Sequence, residues 1–361
     1  MIAGAARSAR PALATAAIEA RRWRIGGRVQ GVGFRPFVYR LACELNLSGW
    51  VRNNGGEVEV RAQGSAEALQ AFGQALLMRA PPAALPQLIE VQSDRIGSIQ
   101  DFRILASGIG AGTHIHVPED LFTCNECLTE LRDPDARRHR YPFINCTQCG
   151  PRYTLIRRLP YDRSNTTLDR FTLCDECAAE YADPRDRRFH AEPLACAACG
   201  PSLSWRDGTR MLRGDEASLA AAISALRDGK IVALRGVGGY HLVCDARSEC
   251  AVARLRLRKG RPQKPLAVLV PWCGTDGLDF VRSLAELSSL QAAALCDAVR
   301  PIVLLRRREN SLIATAVAPG LRDLGLMLPY SPLHHLLLED FGAALVATSG
   351  NVSGEPVLTE P

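Results

Sequence analysis

No apolar run in this 361-residue chain reaches the length of a membrane span, so no membrane association is expected. The first 20 residues are rich in Ala and carry Arg7 and Arg10, but they lack a compact apolar core followed by a cleavage site. No secretory signal is therefore expected there, and a disordered or misassigned start is expected over 1–20. A disulfide framework is also missing. The 13 cysteines are odd in number and most stand in C-x2-C pairs, which points to metal binding in a reducing cytoplasm. A strong excess of charge is absent too: a net +6 is mild for this length and is compatible with anionic small substrates or with RNA.

What is present is a repeat. Cys124 and Cys127, then Cys146 and Cys149, recur 50 positions later as Cys174 and Cys177, then Cys196 and Cys199. Asp133, Pro134, Gly150 and Pro151 recur at the same offset. Four thiolates at this spacing suit one structural Zn2+ per repeat, and a closed four-thiolate set leaves no open position for catalytic water. Pairing within each repeat is the simplest assignment; crossed pairing, with the first and fourth pairs sharing an ion, also satisfies the sequence. The surrounding residues, about 108–205, are rich in Arg, Asp and Pro and poor in long apolar stretches, so metal is needed in place of a large core. Arg137, Arg138, Arg140, Arg185, Arg187 and Arg188 could line a nucleic-acid ribbon. The interleaved Asp133, Asp135, Asp183 and Asp186 favour internal salt bridges and make nucleic acid an unlikely partner.

Before the repeat, 21–107 reads β-α-β-β-α-β, the order of a ferredoxin-like sandwich. A strand over 23–29 runs into Gln30-Gly31-Val32-Gly33-Phe34-Arg35, where two glycines and a helix start make an anion cradle. Arg35 supplies a fork for two phosphate oxygens. The string from Gly27 to Arg35, with Gly49-Trp50-Val51-Arg52-Asn53 after it, resembles the acylphosphatase signature over roughly 85 residues. That resemblance implies that Arg35 binds the phosphate, that Asn53 orients the attacking water, and that the amides of Gln30, Gly31, Val32, Gly33 and Phe34 surround the phosphoryl oxygens.

After the repeat, 206–361 alternates helix and strand signals as an α/β domain. Lys259-Gly260-Arg261 follows a helix, and Ser349-Gly350-Asn351 follows an apolar strand. K-x-R followed by S-x-N, with Ser331-Pro332-Leu333-His334 between them, is similar to the YrdC-type adenylate-forming domain. By that similarity Lys259, Arg261, Ser349 and Asn351 line a site for ATP, with Mg2+, and a carbamoyl-type acid. His241 and His334 lie near these motifs and receive no role.

The three segments in this order, with Arg140–Cys146, Leu159–Arg163 and Arg187–Pro193 around the cysteines, resemble the front part of the hydrogenase maturation carbamoyltransferases, the HypF family. The fold class implied is α+β multidomain: an acylphosphatase sandwich, a duplicated four-cysteine zinc module and an α/β YrdC-like domain. The activity implied is hydrolysis of carbamoyl phosphate and ATP-dependent formation of carbamoyl adenylate. The carbamoyl group then passes to a HypE-type partner, as the source of a cyanide ligand in a nickel–iron hydrogenase. This sequence stops at Pro361, before the transfer domain of the family, which leaves an excised fragment, a natural short form and a chain needing a second polypeptide all open; the YrdC-like domain is expected to be incomplete at its C-terminus. Two rival readings are a threonylcarbamoyl-adenylate synthase of tRNA modification and a non-catalytic zinc scaffold.

Overall fold

The structure is a computed structural model that describes residues 17–108, 117–352 and 354–360. The chain divides into two compact units, Met1–His116 and Val117–Pro361. Residues 1–16 of the expected extension lie outside the described residues, whereas Ile18 and the residues after it already belong to a strand.

The first unit contains β1 (Ile18–Arg28), α1 (Phe34–Glu44), β2 (Ser48–Asn54), β3 (Glu57–Ser65), α2 (Ala66–Met78), β4 (Leu85–Asp94) and β5 (Phe102–Ile104). Its sheet has the order β4-β1-β3-β2-β5, and only β2–β5 is parallel. The helices exist because they have an apolar face to bury. Phe34, Val38 and Leu41 on α1, and Leu69, Phe72 and Leu76 on α2, are all at most 2% exposed. Ser65 caps α2 by accepting from the Ala68 amide. Pro36 is tolerated because the first turn of a helix has no amide partners to lose.

In the second unit α3 (Asn125–Arg132) and α4 (Asp175–Ala182) each begin directly after a cysteine. A small hairpin, β6 (Ser204–Asp207) and β7 (Arg210–Arg213), then leads into α5 (Asp215–Arg227). The remaining elements are β8 (Val232–Gly236), β9 (Gly239–Asp245), α6 (Glu249–Lys259), β10 (Ala267–Leu269), α7 (Asp279–Leu284), α8 (Ser289–Cys296), β11 (Val303–Arg306), β12 (Asp323–Met327), α9 (Pro332–Phe341) and β13 (Leu345–Ser349). The strands form one mixed sheet, β11-β12-β10-β13-β9-β8, in which β10–β12 is the parallel pair. One buried cluster contains Cys127, Leu131, Tyr141 and Cys149 together with Leu219, Leu226, Leu336 and Leu345. The first zinc repeat and the α5/α9 face of the sheet therefore share one core, across residue 206 where the sequence predicts a new domain. Arg140 closes this contact by donating to Glu216 at 2.8 Å and to Asp340 at 2.6 Å.

Candidate active sites and metal centres

In the first unit, Gly31 and Gly33 have φ of +68° and +73°, and Gly33 is the residue before α1. A left-handed backbone suits glycine, and turns of this kind aim amides into a common concavity at a helix N-terminus. Arg35 sits in the first turn of α1 and is 9% exposed. Asn53 lies on β2, which packs against α1, and is 1% exposed with its Oδ1 lacking a hydrogen-bond partner. A buried amide oxygen without a partner is costly unless water or a ligand reaches it. Gly49 of the same block is fixed by close approach, since a Cβ there would stand 2.0 Å from the Arg61 carbonyl oxygen.

The eight cysteines form two groups, Cys124/Cys127/Cys146/Cys149 and Cys174/Cys177/Cys196/Cys199, so each repeat closes on itself. Neighbouring sulfurs are 3.4–3.8 Å apart. A tetrahedral Zn2+ with bonds of about 2.3 Å needs an edge of about 3.8 Å, so both sets fit the ion. His190 packs between Tyr181 and Phe189 instead of joining a set.

The arginines of each repeat serve the other one. Arg137 and Arg138 donate to Cys177 Sγ at 3.4 and 3.3 Å, and Arg187 donates to Cys127 Sγ at 3.0 Å. Arg138 Nε reaches the Ala195 carbonyl at 2.8 Å; its counterpart Arg188 Nε reaches the Asn145 carbonyl at 3.0 Å. Glu180 receives Arg137 and Arg138, and Glu130 receives Arg138, Arg187 and Arg188. Burial opposes ionisation of Glu180, but the hydrogen bonds from Arg138 and Arg137 outweigh it and bring its carboxyl down to about 2. A Zn2+ with four thiolates would carry a net double negative charge, and this exchange of cations across the repeats would offset part of it. The internal salt bridging expected for these arginines is present: Arg137, Arg187 and Arg188 pair with glutamates of the opposite repeat, Arg138 with one in each, Arg185 with Asp183 of its own, and Arg140 with Glu216 and Asp340.

In the sheet of the second unit, Lys259 at the end of α6 meets the turn after β13. Its Nζ donates to the Ser349 carbonyl (2.5 Å), the Asn351 carbonyl (2.9 Å) and Asn351 Oδ1 (3.1 Å). Ser349 Oγ donates to Asn351 Oδ1 at 2.6 Å. Burial first, and then the nearby Arg261 charge, lower the ammonium pKa. Gly260, left-handed at φ +59°, ends α6 and allows the turn. The sequence thus joins Lys259, Ser349 and Asn351 across about 90 residues. Arg261 has its guanidinium on the carbonyls of Lys264 and Pro265 instead. The sequence pattern assigns His241 and His334 no role and does not single out Tyr330; all three stand beside this turn, His334 four residues after Tyr330 and His241 brought to them by strand order.

Fold and sites define a protein that joins an acylphosphatase-type loop, two four-cysteine fingers and a Sua5/YrdC-type sheet. Family profiles match in that order: Acylphosphatase over 21–104, HypF finger over 123–156 and 173–206, and Telomere recombination, the Sua5, YciO and YrdC profile, over 224–361. The carbamoyltransferase HypF of Synechocystis is 50% identical over 335 residues, 92% of this chain and 43% of that protein. HypF2 of Cupriavidus necator is 49% identical, covering 94% of this chain and 43% of its own length. A crystal structure of full-length HypF in a phosphate- and nucleotide-bound form superposes with a TM-score of 0.87 at 39% identity, over 95% of this chain and 44% of that one. The chain is similar over more than nine-tenths of its own length to HypF carbamoyltransferases, and it spans somewhat less than half the length of these relatives.

Proposed function

We propose that this chain carries the first two steps of a carbamoyl transfer. Carbamoyl phosphate and water give carbamate and phosphate at the Gln30–Arg35 loop. Arg35 and the amides of Gln30, Gly31, Val32, Gly33 and Phe34 hold the phosphoryl oxygens, and Asn53 Oδ1 orients the attacking water. Positioning and charge stabilisation supply most of the effect in phosphoryl transfer, which is why no nucleophilic side chain is needed. A carbamate oxygen then attacks the α-phosphorus of ATP at the Lys259–Ser349–Asn351 turn, giving carbamoyl adenylate and pyrophosphate. ATP arrives as its Mg2+ complex. Lys259 and Arg261 offset the charge on the departing pyrophosphate, Arg261 after leaving its present carbonyl partners.

The observation that carries this reading is the presence of both sites in one chain that is 50% identical to a carbamoyltransferase HypF over 92% of its length. A phosphate- and nucleotide-bound relative supports both ligands. The acceptor is a HypE-type protein thiol, the compartment is the cytoplasm, and the product serves hydrogenase maturation. No helix among the described residues is long and apolar enough to cross a membrane.

The two sites are tested separately. Arg35→Ala is expected to lower phosphate release from carbamoyl phosphate by on the order of a hundredfold to a thousandfold. Lys259→Ala is expected to remove pyrophosphate release and spare that hydrolysis. A Lys259→Ala chain with unchanged pyrophosphate release contradicts the assignment.

A further inference from the structure

His241 and Ser349 are direct partners in the antiparallel pairing of β9 with β13. Opposed residues of such a pair project from the same face, so the imidazole stands beside the Ser349–Asn351 turn. Tyr330 Oη lies 3.1 and 3.2 Å from the two ring nitrogens of His241. The His241 and His334 rings are stacked, 8° from parallel with centroids 5.7 Å apart, and Tyr330 stands edge-on to His334 at 4.4 Å. His241 and Tyr330 are half-buried, whereas His334 is 0% exposed. The cluster thus has accessible walls and a buried floor.

The floor has an unanswered group. Ser331, the cap of α9, accepts from the His334 amide at 3.3 Å and lies 3.0 Å from His334 Nδ1. The serine hydroxyl can donate its proton to Nδ1 while its oxygen accepts from the His334 amide, and in that arrangement the proton of the neutral ring stands on Nε2. That Nε2 is buried with no hydrogen-bond partner. Burial, and then His241, push His334 down to about 3, so the ring is neutral at pH 7. An N–H donor in the first turn of a ten-residue helix suits an anionic oxygen. Gly236 borders the cluster: a Cβ there would make ordinary van der Waals contact, 3.7 Å from His334 Cε1 and 3.8 Å from Tyr330 Oη.

We propose that His241, Tyr330 and His334 form the acid subsite of the adenylate-forming centre, where His334 Nε2–H binds one oxygen of a small planar acid without a side chain. This rests on the reading of the Lys259 turn as a nucleotide site. The acid needs one oxygen free for the α-phosphorus and the other held. A neutral donor does this without drawing the triphosphate away from Lys259.

The test uses the full chain, with bicarbonate as a stable stand-in for carbamate and an α,β-methylene analogue of ATP. In the unaltered protein, bicarbonate added with the analogue is expected to shift the His334 Nε2 nitrogen resonance. His241→Asn and Tyr330→Phe, at half-buried positions that tolerate change, are expected to lower carbamoyl-phosphate-dependent pyrophosphate release by on the order of tenfold to a hundredfold. Affinity for the ATP analogue is expected to stay within about twofold. Unchanged pyrophosphate release in both variants, or a resonance indifferent to bicarbonate, overturns the subsite. Pyrophosphate release that is absent from the unaltered chain, or that survives Lys259→Ala, overturns the nucleotide-site reading instead.

Discussion

Lys259 reaches three oxygens of a single turn, and this turn is held by atoms with little freedom to move. Gly350 donates to the Tyr240 carbonyl at 2.6 Å, and a Cβ on it would stand 2.9 Å from Tyr240 Cβ and 3.0 Å from that carbonyl oxygen. Gly350→Ala is therefore expected to push the turn off β9, costing roughly 1–3 kcal/mol of stability by overpacking and weakening binding of the ATP analogue. Calorimetry and a denaturant titration measure the two effects. At Asn53 the substitution to Ala removes a buried amide oxygen without a hydrogen-bond partner, the group proposed to orient the attacking water. Phosphate release is expected to fall on the order of a hundredfold with KM for carbamoyl phosphate nearly unchanged, because the lost contact belongs to the attacking water. A rise in KM at constant kcat would instead assign Asn53 to substrate binding. At this scale the sequence was informative where chemistry is local. Gly31, Gly33 and Arg35 follow one another, and their order states the turn. The Ser331–His334 cap and the Tyr330–His334 contact are equally local, but their meeting with His241 depends on strand order, which no local pattern records.

At the scale of elements, the two zinc repeats are a matched pair that exchange cations. Each four-thiolate set is closed by its own repeat, yet Arg187 of the second touches Cys127 of the first, and Arg137 and Arg138 of the first touch Cys177 of the second. Removing one arginine leaves the opposite thiolates with an uncompensated charge in a partly buried place. Arg187→Ala is accordingly expected to speed zinc transfer to a chromophoric chelator from the first set, Cys124 to Cys149, several-fold more than from the second. Separate mass measurement of the two metal-bearing peptides after partial thiol labelling reads this out. Faster loss from the second set would contradict the exchange. The 50-residue period announced the cysteine sets, because ligand spacing is a local property of a C-x2-C turn and the helix that follows it. The partners of the arginines were hidden for the opposite reason: an ion pair carries no register in sequence, and here it joins residues about 40–60 apart. The alternation of helix and strand after residue 206 likewise announced the sheet, whereas its mixed directions, with β10–β12 alone parallel, depend on crossovers that composition does not state.

For the whole molecule, the decisive feature is that the two four-cysteine sets and the Lys259–Ser349–Asn351 turn share one unit while the Gln30–Arg35 loop belongs to the other. Cys127 and Cys149 lie in the same buried cluster as Leu219, Leu336 and Leu345. Structural zinc contributes about 10 kcal/mol or more to a small module, so stripping the metal is expected to destabilise the β8–β13 sheet as well as the fingers. Scanning calorimetry is expected to show two transitions, of which a strong chelator lowers one and leaves the acylphosphatase transition in place. A chelator that moves neither, or both equally, contradicts the shared core. The account as a whole stands on the two sites acting in sequence on carbamate. The most direct measurement follows pyrophosphate from ATP with carbamoyl phosphate supplied, and again with threonine and bicarbonate supplied in its place. The account predicts pyrophosphate only with carbamoyl phosphate, and its loss in both Arg35→Ala and Lys259→Ala. Pyrophosphate that requires threonine and bicarbonate, and ignores carbamoyl phosphate, would contradict it.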